Sequence, residues 1–243
     1  MAGHSKWNNI KRKKEKTDGA KAKIFTKIGR ELAVAVKEGG GSTLTQLKIK
    51  DCIAKAKACN VPNDNIERIV KKAAGETDGE NLKVVYEGYI LCGVAVIVEA
   101  LTDNRNRTAG DVRHYFDKSG GNLGTVGCVS FMFEQKGMLI VDKEGRNEDT
   151  VMEDSLEAGA SDFQTDGDVF VIETAPEDFS AVLDALTNKG YEFISAEVEM
   201  VPSTYTEITD DEIAVKMQKL LDSLEDNDDV QNVWHNWENP LDA

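Results

Sequence analysis

Apolar residues recur at helical spacing from Asp18 onward. Ile24, Phe25, Ile28, Leu32, Ala35 and Val36 fall on one face and predict a helix that stops at Gly39-Gly40-Gly41. Ser42 or Thr43 is placed to cap a second helix carrying Leu47, Ile53 and Ala56. Asn60 to Asn65 reads as a turn, with Asn63 or Asp64 capping a third helix marked by Ile66, Ile69 and Val70 and stopped by Gly75. Residues 1–78 therefore read as a small helical domain.

The period then changes. "KVVYEGYI" and "GVAVIVEAL" are β-branched and apolar, so both read as strands. "NRTAGDVRHYFDKSGG" follows as a helix with Ala109, Val112 and Phe116 on one face, and "CVSFMF" and "GMLIVD" read as further strands. From about Lys136 the order is strand "GMLIVD", helix "NEDTVMEDSLEAG", strands "DFQTD" and "DVFVIET", helix "EDFSAVLDALTNKG" and strand "EFISAEVEMV". That β-α-β-β-α-β order is ferredoxin-like. After Pro202 come "TYTEI", the helix "DDEIAVKMQKLLDSLED" and the strand "VQNVWHNW". Joined to "GVAVIVEAL", "NRTAGDVRHYF" and "CVSFMF", they repeat the same order. The expected fold is α+β: a basic helical domain (1–78), a discontinuous ferredoxin-like domain (79–134 and 202–243), and a second ferredoxin-like sandwich (135–201) inserted in it.

Charge alters this picture. The 243 residues carry a formal net charge of −15, yet residues 1–72 sum to +11 and the remainder to −26. Segregation of this kind suggests one surface for a polyanion and another that repels it. Docking of the basic part on the acidic part is the alternative. No apolar run approaches the roughly 20 residues of a membrane span, and the basic start lacks the apolar core of a secretory signal. The chain is accordingly expected in the cytoplasm, without membrane contact.

Four constellations are candidates for chemistry. Lys6, Lys11, Arg12, Lys13, Lys14, Lys21, Lys23, Lys27 and Arg30 form a basic arm and helix suited to phosphates, and Trp7 among them is suited to stacking on a base. "TDNRNRT" (102–108) lies where a strand ends and a helix begins. There Arg105 and Arg107, with Arg113 further along, can grip an anion, unless Asp103 or Asn104 merely caps the helix and the arginines pair with acidic neighbours. "DKSGGNLGTVG" (117–127) lacks the G-K-[ST] of a phosphate loop and reads as a helix stop and turn. "EDNDD" (225–229) lacks EF-hand spacing and reads as a solvated acidic face. Cys52, Cys59, Cys92 and Cys128 contain no C-x-x-C pair, and His4, His114 and His235 are dispersed. No metal, cofactor or catalytic residue is expected.

"MAGHSKW", "AKIFTK", "DNIERIVKKAAGE", "GVAVIVEALTDNRNRT" and "VRHYFDKSGGNLGTVGCVSFMFEQKG" together resemble the YebC/PmpR family, whose mitochondrial members include the translational activator of cytochrome c oxidase. The match spans residues 1–137 by motif and the rest by architecture. The resemblance implies three domains and no catalysis. It implies either ribosome-associated translation, helping elongation through difficult proline-containing stretches, or DNA-binding control of transcription. The family's usual glycine-proline-glycine segment after "YEGY" is here Ile90-Leu91-Cys92-Gly93, which puts a turn there in question. A start at Met1-Ala2-Gly3-His4 favours a bacterial cytosolic member. The sequence expectation is a ribosome-associated factor binding ribosomal RNA or tRNA. Promoter DNA is the alternative partner, and a protein-interaction scaffold is a further one.

Overall fold

The apolar stripes become three helices in the computed structural model, which describes residues 18–37, 43–75, 82–238 and 240. They are α1 (Asp18–Lys37), α2 (Thr43–Ala58) and α3 (Asn63–Gly75). Ile28, Leu32, Ala35, Ala56, Val61 and Ile66 meet in one core. Four residues link α2 to α3. Asn60 supplies the sharp bend with φ 57°, a conformation Asn tolerates better than most residues. The Val61 N–H closes the turn on the Ala56 carbonyl at 2.9 Å.

One antiparallel sheet has the order β3-β1-β2-β8, from β1 (Leu82–Tyr89), β2 (Ala95–Thr102), β3 (Asn122–Leu123) and β8 (Val230–His235). Helices α4 (Arg105–Lys118) and α7 (Asp211–Asp226) cover one face, where Val96, Val98, Phe116, Met217, Leu221 and Trp237 are buried together. The other face buries Ala95, Ile97, Val129 and Phe133. The turn in question between β1 and β2 does form. A single 3-10 turn spans Leu91–Gly93, with Cys92 held at φ 66°.

The second sheet has the order β5-β6-β4-β7, from β4 (Phe133–Asp142), β5 (Asp162–Asp166), β6 (Val169–Thr174) and β7 (Phe193–Pro202). Helices α5 (Glu148–Ala158) and α6 (Phe179–Asn188) complete the expected β-α-β-β-α-β element order. Leu139, Val141, Phe170, Ile172, Phe179 and Leu186 fill its core. α5 is framed by Asn147, whose side chain accepts the Thr150 N–H, and by Gly159 at φ 104°.

The first sheet departs from the strand set expected of it. "CVSFMF" is not a strand: its residues form turns and a 3-10 turn (Ser130–Met132) before β4 begins at Phe133. Three backbone N–H groups, that of Gly127 just before the segment and those of Val129 and Ser130 within it, point at the Glu87 carboxylate at 2.8, 2.9 and 2.9 Å. Donors aimed at one point cannot also serve a ladder. "TYTEI" contributes only an isolated bridge, Thr206 to Trp237. β1 and the two-residue β3 take the places in the sheet instead.

By contacts the chain divides into two units, Gly3–Glu76 with Gln135–Glu199, and Thr77–Glu134 with Met200–Ala243. Within the first, α2 packs on the second sheet's layer. Ala54 joins its core, and the Ser180 hydroxyl donates to Asp51 at 2.5 Å. Lys55, mostly buried, lies 3.2 Å from Glu31 and 3.1 Å from Glu197. Burial pulls its ammonium downward, but the two carboxylates outweigh this and hold it well above the ordinary lysine value.

Candidate nucleic-acid interface

Lys6, Trp7, Lys11, Arg12, Lys13 and Lys14 lie outside the described residues, and Lys21 stands on α1. Further along α1, Lys23 is exposed, while Lys27 and Arg30 are half-buried. The helical part carries more surface cations than the sequence reading assigned to binding. Lys48, Lys50 and Lys57 on α2 and Arg68 and Lys71 on α3 are exposed. Of these, Lys50 approaches Asp184 at 3.8 Å and Lys71 approaches Glu67 at 3.4 Å, both exposed pairs of small worth. The alternation of lysine along "KIKDCIAKAK" was the available signal, but its two-residue spacing does not say which lysine is buried. Lys55 is spent on Glu31 and Glu197, whereas Lys57 faces solvent.

"TDNRNRT" forms the junction of β2 and α4. The Thr102 hydroxyl accepts the Asn104 N–H at 2.9 Å, and Asn104 caps α4 by accepting the Arg107 N–H at 3.1 Å. The Arg107 guanidinium donates to Asp103 at 2.9 Å and to Asp229 at 2.7 Å. Thr108 and Thr102 place their hydroxyls 2.8 and 3.2 Å from the same Asp229 carboxylate. Burial pushes the Asp229 carboxyl up, but Arg107 and the two hydroxyls outweigh it, and its pKa is lowered. Asp229 and Asp103 in turn raise Arg107.

The junction thus separates the three arginines. All three are exposed on the same helix, but Arg107 is engaged by Asp103 and Asp229. Asp229, read from the sequence as part of a solvated acidic face, is instead 7% exposed; its pairing with Arg107 left no local sign because the two lie over a hundred residues apart. Arg107→Ala is expected to lower the melting temperature, because it leaves the largely buried Asp229 without its cation. Arg105→Ala should leave the melting temperature unchanged and weaken nucleic-acid binding. Thermal unfolding beside an affinity titration separates the two, and equal stability losses would make both arginines structural.

Among the described residues no group of three or more His, Cys, Asp or Glu side chains could hold a metal, and no helix is long and apolar enough to cross a membrane. Burial pushes the Cys52 thiol up to about 12, which leaves it unreactive.

A family model described as the TACO1/YebC protein N-terminal domain matches residues 5–76, and one described as the TACO1/YebC second and third domain matches residues 82–237. The chain belongs to the TACO1/YebC family. A family relative from Acetivibrio thermocellus is 62% identical over 239 residues, covering 98% of this chain and 99% of the relative. One from Finegoldia magna is 55% identical over 240 residues, covering 98% of this chain and all of the relative. Both are named probable transcriptional regulatory proteins. The crystal structure of a conserved hypothetical protein from Aquifex aeolicus is similar with a TM-score of 0.81 and 43% identity, covering 92% of each chain. The names of the two relatives describe regulatory proteins.

Proposed function

We propose that the chain is a nucleic-acid-binding regulator of gene expression in the bacterial cytoplasm, and that it acts on transcription by binding DNA through its basic N-terminal part. The observation that carries this is the charge segregation, +11 over residues 1–72 against −26 beyond them. Phosphates are drawn to the first part and repelled by most of the rest. The names of the bacterial relatives support the transcriptional reading. So does the four-residue link from α2 to α3, which has the length of a helix-turn-helix connection. α3 turns Asn63, Arg68 and Lys71 outward, and these side-chain types reach base edges and phosphates. The domain partition 1–78, 79–134 with 202–243, and 135–201 belongs to the same proposal.

One observation favours a second reading, a ribosome-associated translation factor on ribosomal RNA or tRNA that helps elongation through proline-containing stretches. Asp64 and Glu67 share α3's outward surface with Arg68 and Lys71. Carboxylates oppose close entry into a groove, whereas a lysine-rich surface can recognise structured RNA by shape.

Selection of duplexes from a random-sequence pool, beside ribosome co-sedimentation across salt, decides between them. Transcriptional control predicts an enriched sequence, and contact with about six phosphates predicts a log–log salt slope near −5 on duplex DNA. Salt-sensitive ribosome binding with no enriched duplex would establish the second reading. Absence of binding to DNA, RNA and ribosomes at low salt would overturn both.

A further inference from the structure

The strongest unassigned feature is the loop between β3 and β4. Phe131 is 76% exposed and Val126 75% exposed, the most exposed large apolar side chains described. They flank residues 127–130, which bend around the Glu87 carboxylate through the three N–H bonds given above. The loop is tied on further sides. The Gly124 N–H donates to the Glu87 carbonyl at 2.8 Å, the Tyr89 hydroxyl to the Cys128 carbonyl at 3.1 Å, and the Ser203 N–H and hydroxyl to the Met132 carbonyl, each at 2.9 Å. A loop held this firmly loses little conformational entropy when its apolar tips are covered.

We infer that Phe131, on the loop that also exposes Val126, is a stacking platform for an unpaired base of a nucleic-acid strand. This rests on the nucleic-acid reading above. Area argues against a protein occupant. A buried Phe contributes roughly 150–250 Å², so these two side chains offer on the order of a few hundred Å². A stable protein interface takes about 800 Å² from each partner. The patch suits one or two base faces.

Charge agrees. Ser119 to Phe133 contains no charged residue, in a chain whose charged fraction is 30%. The carboxylate in contact with the loop, Glu87, is turned inward and its charge is met by backbone donors. Within an acidic unit, this uncharged window lets a strand approach with little repulsion, and exposed Lys118 precedes it. A π-face accepts any base, so the platform is expected to be tolerant of sequence.

The test uses the full chain and fluorescently labelled single strands of about 12 nucleotides, within the 4–16 that single-strand sites cover. Uridine and deoxythymidine homopolymers distinguish RNA from DNA as the source, and an abasic strand and a random duplex serve as controls. Phe131→Ala is expected to weaken single-strand binding by roughly 5- to 150-fold. Phe131→Trp should restore it. Affinity for the abasic strand and the melting temperature should stay unchanged, because the lost contact is to a base and the side chain is exposed. An equal loss on the abasic strand would overturn the base contact. So would unchanged single-strand affinity of Phe131→Ala, and if that variant instead lost self-association in sedimentation, a protein contact would take its place. A wild-type chain that binds duplex but no single strand would sink the platform alone. A wild-type chain that binds no nucleic acid would sink the regulator reading with it.

Discussion

Replacing Lys11, Arg12, Lys13 and Lys14 together by alanine is expected to cut affinity for duplex DNA by up to about 4,000-fold at ~0.1 M salt and to flatten the salt slope by about 3.6. The size follows from counterion release. Each cation that neutralises a phosphate contributes roughly 0.9 to the slope, and at ~0.1 M salt each such contribution is worth nearly a factor of ten. The four side chains lie outside the apolar helical pattern that begins beyond Asp18, so the variant should unfold at the wild-type temperature. Affinity and slope both unchanged would move the phosphate contacts to the exposed cations of α1, α2 and α3. Loss of affinity with an unchanged slope would mean the four residues act through structure rather than through phosphates.

Glu87→Ala is expected to give one of the largest stability losses of any single substitution, roughly 3 kcal/mol or more. Three backbone donors lose their acceptor at once, that of Val129 buried and those of Gly127 and Ser130 partly so, and a buried donor left unpaired costs about 1–3 kcal/mol. Glu87 is 2% exposed, so water does not readily replace the carboxylate. Glu87→Gln should fall between, because one amide oxygen stands where two carboxylate oxygens did.

The same site makes stability depend on pH. Burial pushes the Glu87 carboxyl up, but the N–H groups of Gly127, Val129 and Ser130 outweigh burial and hold it below the ordinary glutamate value. A depressed folded value means the unfolded chain binds the proton more readily, so this contribution is complete above the unfolded pKa of about 4.3. It is lost as pH falls through the lower folded value. Urea unfolding from neutral pH downward should show the wild-type chain losing stability on that limb faster than Glu87→Gln. Parallel acid limbs would remove Glu87 as a titrating support. Because Glu87 anchors the segment between Val126 and Phe131, its alanine variant should also blunt single-strand binding, whereas Phe131→Ala leaves stability intact.

Element type was legible wherever the local pattern had one interpretation. Ile28, Leu32 and Ala35 recur at helical spacing and are buried together on α1. In "DVFVIET" the run Val169–Thr174 forms β6, with every residue of the strand buried. Periodicity reports which side of an element meets a core, and that survives into the fold. It failed at "CVSFMF", whose composition is that of a strand. The competing demand of the Glu87 carboxylate for three N–H groups lies forty residues back in the chain and leaves no local trace. β3 was missed because two residues are too few to show a period.

At the candidate interface, the amino-acid sequence alone determined the charge segregation, the helical nature of the basic part, the strand-to-helix junction at "TDNRNRT" and the family resemblance. These depend on residue type and short spacing, which a linear chain displays directly. Only the tertiary structure decided which cations remain for a ligand. It commits Lys55 to Glu31 and Glu197 and Arg107 to Asp103 and Asp229, leaves Lys57, Arg68, Arg105 and Arg113 at the surface, and holds Phe131 out on a braced loop. A charge's availability depends on the opposite charge folded against it, and for Lys55 and Arg107 decisive carboxylates, Glu197 and Asp229, come from more than a hundred residues away.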